Sequence, residues 1–206
     1  MVSSYPVQFD VDFPSRPLNR VTTAFRIFAA IPIVLVLSLL SGQAFGDNDH
    51  SASNSLVIGG AAIFLPLVLM ILIRQKYPRW WFDWNLNLMR FSNRVTAYLA
   101  LLDDRYPSTD EEQSVHLDFA YPDARQMNRW LPLVKWLLAI PHYVVLFFLG
   151  LAAVIAVIAA WFAILFTATY PPGLFDFVVG VLRWSNRVNG YAFTLVTDQY
   201  PPFSLR

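Results

Sequence analysis

The chain has 206 residues, of which 56% are hydrophobic and only 14% charged, with a formal net charge of +1. Globular domains carry about 25% charged residues, so the composition points to an integral membrane protein rather than a large soluble core. Cysteine is absent, which excludes a disulfide framework and any thiolate metal or redox site.

The first element in chain order is "VQFDVDF", whose apolar and polar residues alternate as in a half-buried strand. Asp10 and Asp12, and an apolar run that starts only some twenty residues in, argue against a cleavable leader with a cut near Ala44. Two apolar stretches follow, near 21–40 and 56–73. The first holds one charge, Arg26, and the second none. Each is close to the roughly 20 residues that a helix needs to cross about 30 Å of hydrocarbon. Residues 80–97 form an amphipathic helix: at about 100° per residue, Asp83, Asn87, Arg90 and Arg94 share one face. "YLALLDDRYP" then either prolongs that helix or forms a strand. "VHLDFAY" reads as the next strand. The long apolar run from Leu137 to Thr169 carries no charge and is too long for one span. It reads as two helices, near 130–149 and 151–169, with a tight turn near Gly150. Residues 174–189 repeat the amphipathic pattern with Asp176, Arg183 and Arg187. "YAFTLVTDQY" reads as a last strand, stopped by Pro201. Pro32 and Pro141 are expected to kink the first and third spans.

These elements recur. "VQFDVDFP" (7–14) matches "VHLDFAYP" (115–122), and "NRVTTAFRIFAAIP" (19–32) matches "NRWLPLVKWLLAIP" (128–141) at a shift of 109. "YPRWWFDWNLNLMRFSNRVTAY" (77–98) matches "YPPGLFDFVVGVLRWSNRVNGY" (170–191) at a shift of 93. Two tandem units result, 1–108 and 109–206. The expected fold is an all-α membrane protein with a small β element. Four transmembrane helices form two tandem helical hairpins, joined by two cytoplasmic interfacial amphipathic helices and an antiparallel sheet of up to four strands.

All fifteen Lys and Arg residues lie before or near the start of the first span, between the second span and the start of the third, or after the fourth, and neither hairpin turn holds one. The positive-inside rule then places both termini and the central segment in the cytoplasm, and Asp47, Asp49 and His50 outside.

The residues singled out for function are Arg90, Arg94, Arg183 and Arg187. Three roles fit them: ion pairing with Asp83 and Asp176 together with capping of nearby backbone, binding of lipid phosphate by the guanidinium fork, or partner docking. His50, His116 and His142 are isolated, and no HExxH, GxSxG or Walker-type loop is present. No Asp or Glu lies in an expected span, which argues against ion-coupled transport. No basic stripe suits nucleic acid. Neither a metal nor a cofactor is expected.

The stretch "YPPGLFDFVVGVLRWSNRVNGYAFTLVTDQYPPFSL", preceded by "AIPHYVVLFFL", resembles an uncharacterised family of bacterial membrane proteins catalogued as a domain of unknown function. The first unit departs from it at its end, where "DDRYPSTD" lacks the "YPPF" finish. The resemblance implies a bacterial inner-membrane, multi-pass protein and implies no reaction. The expectation is a non-enzymatic accessory or scaffold subunit that packs against other membrane proteins or itself. The alternative is a lipid or hydrophobic-ligand binding or transfer protein that uses the four arginines at headgroup level, with membrane lipids as partners.

Overall fold

The computed structural model describes residues 5–40, 67–109 and 111–206. Strand β1 (Val7–Val11) is followed by helix α1 (Arg20–Leu40) and, after the undescribed 41–66, by a short π-helical turn, Met70–Arg74. Helix α2 (Arg79–Leu99), strand β2 (Val115–Phe119) and helices α3 (Leu131–Leu138), α4 (Ile140–Thr167) and α5 (Pro172–Ala192) complete the order. The molecule is mostly helical with one small antiparallel sheet.

The sheet has two strands, paired with Val7 opposite Phe119, Phe9 opposite Leu117 and Val11 opposite Val115. Both strands bury every second residue, as their alternation predicts. Their apolar faces join one core with Phe82, Leu86, Phe175, Val178 and Val179 of the amphipathic helices. Strand β1 packs on α5 and β2 on α2, so each strand lies on the amphipathic helix from the other half of the chain.

Helices α2 and α5 each start after a proline held in extended conformation, Pro78 and Pro171. Proline suits this place because the first helical turn leaves its amides unpaired in any case. Apolar helices cover the far side. Ala30 and Ile33 of α1 pack on Phe91, Val95 and Tyr98 of α2. Tyr143, Leu146 and Leu149 of α4 pack on Trp184, Val188 and Tyr191 of α5. The outer faces of α1 and α4 expose Phe25, Ile27, Phe28, Phe147, Phe148, Ile155 and Phe166. Two stretches, Arg20–Ser38 and Leu131–Thr167, are long and apolar enough to cross a membrane, with only 22% and 11% of their most apolar windows buried.

Several expectations are corrected. The described residues contain two candidate spans rather than four. The hairpin expected at Gly150 is absent, because α4 runs unbroken from Ile140 to Thr167. Helical Gly costs only about 1 kcal/mol relative to Ala, and the surrounding Leu, Ala and Ile residues favour helix, so length alone did not force a turn. The break lies at Ala139 instead. Pro141 has no amide, and its ring clashes with the carbonyl four residues back, so it opens α4 rather than kinking a longer helix. "YAFTLVTDQY" forms no strand. It completes α5 and then turns at Leu195, whose φ of 53° is left-handed. "YLALLDDRYP" likewise completes α2 and turns at Leu101, φ 65°. The expected four-stranded sheet is therefore two-stranded. The expected span near 56–73 is described only from residue 67 onward, and Asp47, Asp49 and His50 lie outside the described residues.

Candidate functional site

The amphipathic pattern of α2 sets Arg90 and Arg94 one turn apart on one face, next to the face of Phe91, Val95 and Tyr98 that meets α1. Helix α5 does the same with Arg183 and Arg187, next to the Trp184, Val188 and Tyr191 face that meets α4. All four arginines, with Arg206, line one groove of about 930 Å³ that runs beside both strands. Asp10, Asp118, Glu112 and His116 also line it. The structure thus brings together the four arginines picked from sequence, although ninety-odd residues separate the two pairs.

Their bonds are reciprocal. Arg90 Nε donates to the Leu117 carbonyl (2.9 Å), and its Nη2 lies 3.4 Å from Asp118. Arg183 Nε donates to the Phe9 carbonyl (2.9 Å), its Nη2 to Asp10 (2.8 Å) and its Nη1 to the Leu205 carbonyl (3.1 Å). The choice of carbonyl follows from the ladder. Phe9 and Leu117 are opposite one another, between pairs such as Asp12–Ser114 that carry ladder bonds. Such a non-bonded pair turns its carbonyls outward, to the free edges. In a two-stranded sheet both strands are edges, and each arginine caps one. Deeper in, Arg94 Nη1 donates to the Ser108 carbonyl (2.8 Å), and Arg187 Nη2 to those of Ser204 (2.7 Å) and Arg206 (2.8 Å). Burial, and then the neighbouring Arg183, lower the pKa of Arg187 from its ordinary value. Burial also raises the phenol of Tyr5 well above its ordinary value, despite an opposing influence of Arg187.

Asp83 and Asp176 do not fill the role expected of them. Both are exposed, and neither pairs with an arginine among the described residues. Seven residues separate Asp83 from Arg90, which is two turns and about 10 Å of rise, beyond contact distance. The acids that do pair, Asp10 and Asp118, come from the strands. Their signal in the sequence was the repeated "FD" and "LD" of those strands.

Between the two helices, Asn93 and Asn186 exchange amide hydrogen bonds of 2.8 and 2.7 Å, and each also donates to the carbonyl four residues back. On the far side a second matched set ties the apolar helices down. Arg26 of α1 pairs with Asp104, donates to the Tyr98 and Asp103 carbonyls and stacks over the Tyr98 ring. Lys135 of α3 pairs with Asp198 (2.7 Å), donates to the Thr197 carbonyl and sits over the Tyr191 ring. Both cations are buried. Sequence reading aligned Arg26 with Lys135 but assigned them no partners. His142 is fully buried, and its Nδ1 accepts a hydrogen bond from Trp184 Nε1 (3.1 Å) while the ring stacks on Phe203 at 4.0 Å. Among the described residues no three His, Asp or Glu side chains are placed to hold a metal ion.

Fold and groove together define a mostly helical protein with two stretches long and apolar enough to cross a membrane and an arginine-lined groove formed by its amphipathic pair and its two strands. Residues 130–204, from the start of α3 through α5 and the segment that follows it, match a family model described as a domain of unknown function (DUF4389). No curated protein and no solved structure matches the chain.

Proposed function

We propose that this is a non-enzymatic protein of the bacterial inner membrane that serves as an accessory or scaffold subunit, holding a partner in its arginine groove. The observation behind this reading is the convergence of Arg90, Arg94, Arg183 and Arg187 on one groove beside both strands, whose lining includes no residue of α1 or α4. The apolar helices supply a membrane-facing surface, and the groove opens toward water and suits an acidic segment of a neighbouring protein. On this reading both termini and the groove are cytoplasmic, in keeping with the distribution of Lys and Arg. Helix α4, which joins β2 to α5 of the same groove without a hairpin, is then embedded in the membrane without carrying the chain across it. The tandem units act as an internal pair, since matched residues of each half hold the strand of the other. Lipid headgroups offer arginine phosphate chemistry, but a polar groove lined by no residue of α1 or α4 favours a partner approaching from water.

The test leaves the arginine tethers in place. Gln8 and Asn87 line the groove and are exposed, so Gln8→Glu with Asn87→Asp adds two negative charges there. Affinity purification from native membranes, at about 150 mM salt where exposed charges still act over roughly 8 Å, is expected to recover a partner with the wild-type chain and to lose it about tenfold with the variant. The same partner yield from both proteins would remove the groove from this role.

A further inference from the structure

A second cavity lies on the other side of the amphipathic pair. It is a slot of about 420 Å³ between the end of α2, the middle of α4 and the face of α5. Its walls are aliphatic, formed among others by Leu99, Leu146, Val157, Val178 and Val181. No aromatic ring lines it, although 16% of the chain is aromatic. The polar side chains on it are the hydroxyls of Thr96 and Ser185, and Thr96 already donates to the Ser92 carbonyl. The lining therefore asks little hydrogen bonding of an occupant. On its α4 side the slot is continuous with the outer apolar surface, because Val154 and Ile158 line it while remaining 58% and 52% exposed. Gly150 adds an independent observation. A Cβ there would meet nothing within 4 Å, so no packing contact demands the glycine. It weakens the helix by about 1 kcal/mol relative to Ala, and the space it leaves belongs to the slot.

We propose that this slot holds one acyl chain of a membrane lipid, which enters sideways from the apolar face of α4. The volume falls within the roughly 300–1,000 Å³ of small-molecule sites. A flexible saturated chain matches walls without rings, and it reaches the slot from hydrocarbon without crossing water. The site is separate from the arginine groove and does not depend on that groove's role.

The experiment fills the slot from its α4 wall. Gly150→Leu directs a side chain into open space and improves helix propensity, so the variant folds. Gly173→Leu is the matched control, since a Cβ there also meets nothing within 4 Å and Gly173 does not line the slot. Each protein, purified in a mild detergent, is incubated with a lysophosphatidylcholine bearing a sixteen-carbon chain and released from micelles in a native mass spectrometer. The expected result is one retained lysolipid on the wild type and on Gly173→Leu, and about a tenfold lower bound fraction on Gly150→Leu. Equal retention by all three, retention of detergent alone, or a wild-type mass showing a second copy in place of lipid would overturn the proposal.

Discussion

Asn93 and Asn186 are each other's hydrogen-bond partners, and both are buried. A buried amide left without its partner costs about 1–3 kcal/mol, whereas removing both partners together can be nearly neutral. Asn93→Leu and Asn186→Leu are therefore each expected to destabilise by about that amount. The double variant should fall short of the sum by about 1 kcal/mol or more, as expected for residues in contact. Chemical denaturation of the four proteins in one detergent measures the coupling, and strict additivity would show that the exchanged pair carries no shared stability. The two asparagines were visible in the sequence as the repeated "SNRV". Their partnership was not, because nothing in a local pattern says that residues 93 apart face each other. The same limit applies to the arginines. Periodicity placed Arg90 and Arg94 on one face of a helix, and among the roles open to them it offered ion pairing with Asp83 of that same face. Their actual carbonyl and carboxylate partners lie downstream, those of Arg90 on strand β2 and that of Arg94 at Ser108.

Close approach between elements shows at Gly190 of α5, where β1 lies against the helix. A Cβ on Gly190 would come within 2.5 Å of Val7 Cγ2. Gly190→Ala gains helix propensity of about 1 kcal/mol, but must push aside a strand that Arg183 pins through the Phe9 carbonyl. Overpacking of this kind costs about 1–3 kcal/mol, so the net effect expected is a loss of about 1 kcal/mol. Val7→Ala removes the clashing methyl groups, and in that background Gly190→Ala should become neutral or stabilising. Thermal unfolding followed by circular dichroism distinguishes the two backgrounds, and a loss that persists in the Val7→Ala background would mean that another contact decides. Helix α2 and helix α5 were legible because their amphipathic pattern is strong and a proline marks each start. The strand expected at "YAFTLVTDQY" was not legible as a turn. Its Tyr, Phe, Thr and Val residues favour strand, but the left-handed Leu195 and the Val196 amide bonded back to the Gly190 carbonyl (2.9 Å) close the helix with a capping turn.

Across the whole molecule, matched positions of the two halves carry matched contacts. Arg26 with Asp104 corresponds to Lys135 with Asp198, Arg90 with β2 corresponds to Arg183 with β1, and left-handed Gln75 and Leu101 correspond to Ala168 and Leu195. Helix α4 is where sequence pattern and fold part. An apolar run has no internal polar mark to say where it folds back, so a hairpin and one long helix share the same composition, and only packing against α5 separates them. A spectroscopic ruler separates them directly. The chain has no cysteine, so Ile140→Cys with Phe162→Cys supplies two spin-label sites without further changes, and both positions are exposed. One helix places them 22 residues apart at 1.5 Å per residue, a separation of about 33 Å. A hairpin turning near Gly150 would bring them to roughly the 8–10 Å spacing of packed helices, plus the reach of the labels. The expected distance distribution in liposomes is a single peak near the longer value. A peak at the short distance would restore the hairpin.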